Sequence, residues 1–292
     1  MEAVNPKNIT EHIDDITFCI ANFNIATSDY NAFTPSQLGI PGDESNVIYT
    51  KGEINHFSYK IMLGDKAKNC KIFFEEGVQG SGNKISLKNE GNIVYIGKNC
   101  SLKRVSMSIL FPGDFVLVGE GVSTTSTNIW STGLNPGKAN NGIIVGDHCM
   151  FASEVAIRPA DGHPIIDLES RAQVNISLRP IVIEPYCWIG QRTAILKNVR
   201  VGACSIISFG AVVTKSCEKF SVLSGVPAVR RDFEGKMWLR NNGAEAKKNQ
   251  RHYEARFASK SPTIVETKKP PILTRVNMFC KKATFKVARL WS

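Results

Sequence analysis

The stretch IEPYCW-IGQRTA-ILKNVR-VGACSI-ISFGAV-VTKSCE, residues 183–218, repeats with a period of six. Each block opens with isoleucine or valine, and a glycine follows at Gly190 and Gly202. The fifth position of the blocks is always small or β-branched: Cys187, Thr193, Val199, Ser205, Ala211 and Cys217. A second tract, VGDHCM-FASEVA-IRPADG, starts at Val145, and weaker copies start at Ile96 and Val118.

A period of six matches neither an α-helix nor a simple alternating strand. It indicates coils of three short strands, in which the aliphatic residue points inward and the small residue allows a corner. Such coils are stable only when they stack as a solenoid, because a single coil cannot bury its own apolar side. Valine-rich strands of an ordinary sandwich would explain the hydrophobicity but not the fixed spacing. The repeat therefore predicts an all-β-dominated solenoid.

Three short motifs extend the pattern: WIG at 188–190, VTK at 213–215 and GVPA at 225–228. Over residues 143–231 their order and spacing resemble the hexapeptide-repeat acyltransferases, in particular the galactoside, maltose and xenobiotic acetyltransferases and the capsular sialate O-acetyltransferases. The resemblance implies a left-handed parallel β-helix and extends weakly back to about residue 70.

Three regions follow from the limits of the repeat. Residues 1–70 are expected to form an irregular N-terminal cap, residues 71–231 the β-helix, and residues 232–292 a helical, basic extension. The hexads from Val145 and those from Ile183 are not in phase, so an insertion, residues 163–180, separates them. A loop that leaves a rigid solenoid and returns to it is a natural wall for a binding cleft.

Two residues at the start of this insertion do not fit the repeat. Asp161 stands at a small-residue position, and His163 stands where an aliphatic side chain is expected. By themselves the residues leave His163 open between a loop histidine and a functional one. The pair His163-Pro164 with Arg171 matches the catalytic-histidine segment of the acetyltransferases, which implies that His163 is a general base.

Two further catalytic candidates depend on that match. The resemblance implies that Trp188 confines the acetyl group beside His163, although a space-filling aromatic remains the alternative. A general-base histidine needs an acceptor for its second ring nitrogen. Asp161 or a nearby carbonyl is a candidate, while an aspartate in an Ala-Asp-Gly turn is also ordinary turn chemistry.

The resemblance implies acetyl-CoA as co-substrate and no metal. The groove would be lined near Trp188, Gly190, Gln191, Phe209, Gly210, Thr214 and Lys215, with Arg230 or Arg231 available to the phosphates. Phe209 departs from the family, which usually has a small residue there.

Composition limits the partners. The net charge of +10 indicates an anionic partner without saying which. The basic residues are not interleaved with a nucleic-acid reader motif, so nucleic acid is not expected. No apolar run approaches the roughly 18 residues of a membrane span, and the start of the chain is unlike a signal peptide, so we expect a cytoplasmic protein. Its eight cysteines form no C-x-x-C pair and are expected to be free, packed thiols.

The function expected from the resemblance is O-acetylation of a carbohydrate hydroxyl, with capsular or cell-surface polysaccharides, including sialic acid polymers, as acceptors. N-acetylation of an amino sugar, a small-molecule acceptor and a non-catalytic scaffold remain alternatives. The family also implies a homotrimer with clefts shared between neighbours. The basic, amphipathic end of the chain, from Pro270 on, would rest on an anionic membrane surface at the inner face, hold a glycan, or pack on protein.

Overall fold

The computed structural model describes residues 27–52, 58–133, 141–231, 233 and 235–258. The expectations for the first 26 residues and for the basic tail lie outside the described residues. Three sheets dominate the described part, and we number their strands in chain order.

Sheet 1 contains β1 (Asn31–Phe33), β2 (Val47–Thr50), β4 (Lys71–Phe74), β7 (Ile93–Ile96), β10 (Phe115–Val118), β13 (Gly142–Val145), β16 (Ile181–Ile183) and β19 (Arg200–Val201). Sheet 2 contains β5 (Gln79–Ser81), β8 (Ser101–Lys103), β11 (Ser123–Thr124), β14 (Met150–Phe151), β17 (Trp188–Ile189), β20 (Ile206–Ile207), β22 (Val222–Ser224) and β23 (Val229–Arg231). Sheet 3 contains β3 (Tyr59–Leu63), β6 (Asn83–Leu87), β9 (Val105–Ile109), β12 (Asn128–Ser131), β15 (Val155–Arg158), β18 (Ala194–Leu196) and β21 (Val212–Val213).

Strands of successive coils pair in parallel register, as β13, β16 and β19 do in sheet 1. The chain runs from sheet 1 to sheet 2 to sheet 3 and then back to sheet 1. The result is a prism with three faces and three edges, which we call edge 1–2, edge 2–3 and edge 3–1. Antiparallel strands stand at its two ends, with β1 on β2 and β23 on β22.

The repeat positions behave as the sequence predicts. The residues that open the six hexads all lie in the core with no exposed surface: Ile183, Ile189, Ile195, Val201, Ile207 and Val213. Cys100, Cys149 and Cys187 are also fully buried, and the described cysteines are free. Burial raises the pKa of the Cys100 thiol to about 12, so this residue packs as a small apolar group.

The solenoid begins earlier than residue 71, where the sequence analysis drew its boundary. β2 pairs in parallel with β4, and β3 pairs in parallel with β6. The early coils are longer than three hexads, since Ile72, Val94 and Val116 pair in register. The strands of the early coils are longer, as in β9 with five residues against three in β18, and this hides the period of six, which explains why the early coils left only weak copies in the sequence.

Two described elements lie outside the prism. The first is the insertion, which leaves at edge 3–1 after β15 and returns at β16; within it, Ile166 and Gln173 form an antiparallel bridge. The second is helix α1 (Ala244–Ala258), which lies in the region expected to be helical. α1 packs on edge 1–2 through Tyr253 and Phe257, in one apolar cluster with Tyr186 and Trp238. No described helix is long and apolar enough to span a bilayer.

Candidate active site

His163 lies on edge 3–1, just after the chain has left sheet 3. Its side chain is exposed, and its imidazole makes no hydrogen bond to another described residue. The main chain is fixed, because Asn175 Nδ2 donates to the His163 carbonyl at 2.8 Å. An imidazole whose backbone is held while both ring nitrogens remain open can accept a proton from a bound molecule.

Asp161 has partners other than His163. Its Oδ2 accepts from Lys197 Nζ in a short ion pair and from Asn175 Nδ2 at 2.8 Å. Burial alone would raise the pKa of Asp161, but the bonds from Lys197 and Asn175 outweigh it, so the pKa is lowered. These contacts favour a structural role for Asp161 over that of acceptor for the His163 ring.

The far end of the insertion is fixed to the same edge. Arg179 Nε and Nη2 donate to the carbonyl of Asn198 at 3.0 and 2.8 Å, and Leu178 N–H donates to Asn198 Oδ1 at 2.8 Å. Both ends of the insertion are therefore held by residues of the next coil, Lys197 and Asn198.

Trp188 lies on sheet 2, in register between Met150 and Ile206. Its side chain is 39% exposed, and its ring lies 6.2 Å from that of Trp238. Trp238 is itself fixed, because its Nε1 donates to the Tyr186 carbonyl at 2.8 Å. In a three-sided prism, edge 3–1 is opposite sheet 2, so Trp188 and His163 of one chain lie on opposite sides of the solenoid.

Four of the cofactor candidates share edge 2–3: Gly190, Gln191, Phe209 and Gly210. A Cβ on Gly190 would lie 2.7 Å from the Ile207 carbonyl oxygen and from Phe209 N, so coil stacking alone requires glycine there. Gln191 donates to Glu154 at 3.0 Å. The Phe209 side chain is 63% exposed, and the Arg192 guanidinium lies 5.8 Å from its ring centre.

The other cofactor candidates lie elsewhere. Thr214 and Lys215 follow β21 on edge 3–1 and are exposed, as is His163. Arg230 and Arg231 belong to β23 in sheet 2, and Arg231 Nε donates to Ser224 Oγ at 2.8 Å. One chain thus brings His163, Thr214 and Lys215 to a common edge but not Trp188, Gly190 or the two arginines.

Three residues around the site escaped the sequence analysis: Asn175, Lys197 and Trp238. Lys197 occupies the third position of its hexad, ILKNVR, where a charged residue is unremarkable. Asn175 lies in the insertion, which has no repeat to mark it. Nothing in a single sequence distinguishes these residues from other polar surface groups. Within the ranges the structure describes, no cluster of His, Cys, Asp and Glu could hold a metal ion.

Comparison with known proteins supports the resemblance. The chain is 30% identical over 105 residues to a polysialic acid O-acetyltransferase of Escherichia coli O1:K1, a match that covers 35% of this chain and 33% of that protein. It is 38% identical over 89 residues to a galactoside O-acetyltransferase of Lactococcus lactis, covering 30% and 41%. It is 26% identical over 175 residues to a polysialic acid O-acetyltransferase of Neisseria meningitidis, covering 60% and 65%. The matches thus span less than two thirds of each relative, and no family model matches the chain.

A crystal structure of a polysialic acid O-acetyltransferase superposes with a TM-score of 0.53 at 19% identity, over 66% of this chain and 99% of the other. At this identity the likeness shows the fold alone. Together with the parallel three-sheet prism it confirms the predicted left-handed parallel β-helix. The predicted resemblance to hexapeptide-repeat acetyltransferases is likewise confirmed, in sequence and in fold.

Proposed function

We propose that the chain is an acetyl-CoA-dependent O-acetyltransferase that modifies a carbohydrate hydroxyl, with His163 as general base. The observation that carries the proposal is the state of His163: an exposed imidazole on a held backbone, where the insertion leaves the solenoid. The names of the relatives, which acetylate polysialic acid and galactosides, favour a carbohydrate acceptor.

The chemistry requires a base because a sugar hydroxyl is a poor nucleophile at neutral pH. The hydroxyl oxygen bonds to the acetyl carbon while its proton passes to a ring nitrogen of His163. The carbon–sulfur bond of the thioester then breaks, and the imidazolium returns the proton to the departing sulfur. The products are an acetyl ester and free CoA, with His163 neutral again and no covalent enzyme adduct formed.

The described residues fit the co-substrate, which supplies the acetyl group as a thioester. Lys215, Arg230 and Arg231 are exposed cations suited to its phosphates. The exposed ring of Phe209 on edge 2–3 would flank the pantetheine arm. The roles of Gly190, Gln191, Gly210 and Thr214 in binding remain predictions.

Assembly as a homotrimer is part of the proposal. If His163 and Trp188 act on one acetyl group, they must come from different chains, because they lie on opposite sides of one prism. The outer side of sheet 3 offers a flat contact surface, formed by the in-register column Ile129, Ala156, Ala194 and Val212. Ile129 on this column is 54% exposed and Ala156, Ala194 and Val212 are half-buried, so the column is a strip of apolar side chains that a neighbouring prism would cover.

For the acceptor we propose an acidic polysaccharide of the capsule or cell surface, such as polysialic acid. A net charge of +10 would attract such a polymer. The cytoplasmic location stays a prediction. A contact of the basic tail with the inner membrane face also stays one, since that tail lies outside the described residues.

The test measures thiol release from acetyl-CoA with polysialic acid, a neutral polysaccharide and an amino sugar as acceptors. We expect release with the acidic polymer and a loss of at least about a hundredfold in His163→Ala. His252→Ala is the matched control, because His252 is an exposed histidine of α1. Release with the amino sugar alone would replace O-acetylation by N-acetylation. The absence of both release and CoA binding would favour a scaffold.

A further inference from the structure

Asn175 is the centre of the hydrogen-bond network at the base of the insertion. Its Nδ2 donates to Asp161 Oδ2 and to the His163 carbonyl, both at 2.8 Å. Its Oδ1 accepts from Ile165 N at 2.8 Å and from Gln173 Nε2 at 3.0 Å. The side chain therefore binds the backbone on both sides of Pro164, at the His163 carbonyl and at the Ile165 N–H. Both the nitrogen and the oxygen of its amide group make hydrogen bonds.

Lys197 joins this network to the solenoid. It directly follows β18, on the next coil of edge 3–1. Its ammonium pairs with Asp161 Oδ2 and donates to the Asn175 carbonyl at 3.0 Å. One cation thus holds Asp161, two residues before His163, and Asn175, which binds the His163 carbonyl, and it directly follows a strand of the solenoid.

We propose that Lys197 is a positioning residue for the reaction: through Asp161 and Asn175 it holds the backbone of His163 at the edge of the prism. This inference rests on the proposed function, in which His163 is the base. A base must be held within about half an ångström of its productive position, so a cation on the rigid coil is a physical means of doing this.

The Lys197–Asp161 ion pair contributes little to the free energy of unfolding, so a loss of activity in a variant can be told apart from a loss of the fold. The side chains of Lys197 and Asp161 are 26% and 42% exposed. Ion pairs at such exposure usually add little to the free energy of unfolding. A Lys197→Met variant, which keeps the length of the side chain without its charge, is therefore expected to fold.

Steady-state acetyl transfer by the full-length protein tests the proposal. In Lys197→Met we expect kcat to fall roughly tenfold while KM for acetyl-CoA changes less than about twofold, since misplacing the base leaves binding intact. Lys197→Arg should recover most of the loss. Lys98→Met is the matched control: Lys98 pairs with Glu76 on another edge, and its loss should leave both kcat and KM unchanged.

An unchanged kcat in folded Lys197→Met, with transfer by the wild type intact, would overturn the proposal. If Lys197→Met does not fold, kcat in Asp161→Asn decides, and an unchanged value there would overturn it equally. A wild-type protein without transfer to any acceptor would overturn the proposed function, on which this proposal rests.

Discussion

Trp188 lies on sheet 2, on the side of the prism opposite the edge at which His163 leaves it. The two residues are separated by the whole apolar core of one chain. If both serve one acetyl group, each site must be completed by a neighbouring chain, and this has a measurable consequence.

His163→Ala and Trp188→Ala are each expected to be inactive alone and to complement each other when co-assembled. In a one-to-one mixture with random assembly, about a quarter of the sites receive an intact His163 from one chain and an intact Trp188 from its neighbour. Acetyl transfer should then recover to about that fraction of wild type. Activity of the mixture no higher than that of the single variants would show that the site is not shared in this way.

The buried carboxyl of Asp114 is expected to lower the stability of the folded protein as the pH rises from acid to neutral. It is fully buried, and burial raises the pKa of its carboxyl from 3.8 to about 6 in the folded protein. The folded state therefore prefers the protonated form. Its contribution to stability is complete below about pH 4 and is lost as pH rises through about 6.

Asp114→Asn removes this titration. The amide also disturbs the two bonds that the carboxylate accepts, from Asn141 N at 3.0 Å and Phe111 N at 3.1 Å, so the variant is less stable at every pH. We expect the difference in the free energy of unfolding to shrink by up to about 3 kcal/mol between pH 4 and 7. Urea titrations at several pH values measure it, and a constant difference would contradict the prediction.

Protonation of His148 in acid is expected to weaken the packing of α1 on the solenoid. Burial, followed by the charge of Arg240, lowers the pKa of its imidazole to about 4. Its ring packs on Tyr253 of α1 with centres 5.8 Å apart. Because the neutral form is favoured in the folded state, its contribution is complete above about pH 6.5 and is lost as pH falls towards 4.

Hydrogen exchange of residues 244–258, corrected for the intrinsic rate, measures this loosening. Protection should fall between pH 6.5 and 4 by up to about tenfold per pH unit in the wild type. His148→Asn is the control, since asparagine tolerates the φ of 54° at this position and does not titrate in this range. Equal pH dependence in both proteins would assign the loosening to another group.

Replacement by alanine is expected to destabilise the protein at Gly202 but not at Gly162. A Cβ on Gly202 would overlap the backbone carbon of Glu218 and the nitrogen of Lys219 in the next coil, whereas a Cβ on Gly162 meets nothing within 4 Å. We expect Gly202→Ala to cost about 2 kcal/mol or more and Gly162→Ala close to nothing. Thermal unfolding of the two variants decides, and equal transition temperatures would be inconsistent with tightly stacked coils.

The sequence predicted those features that the repeat or a motif records. Ile183, Ile195 and Val213 recur at a fixed spacing because each must fill the same place in the core, so the prism and its inward residues were visible. His163 was visible because it breaks that pattern. The first coil, from Val47 to Leu63, was missed because Val47 pairs in register with Lys71, so that one turn takes 24 residues instead of the 18 of three hexads.

The network around His163 was not visible for a different reason. Lys197 and Asp161 are 36 residues apart, and only the stacking of coils brings them together. Asn175 lies in an insertion of irregular conformation, where position along the chain does not fix direction in space. The opposite placement of Trp188 and His163 likewise follows from which sheet each strand joins.

The most direct test of the central claim is transfer of a labelled acetyl group from acetyl-CoA to polysialic acid, with mass spectrometry of the polymer, by wild type and by His163→Ala of verified fold. The account predicts an O-acetyl ester with the wild type and a rate at least about a hundredfold lower with the variant. Near-normal acetylation by His163→Ala would contradict the assignment of His163 as the general base.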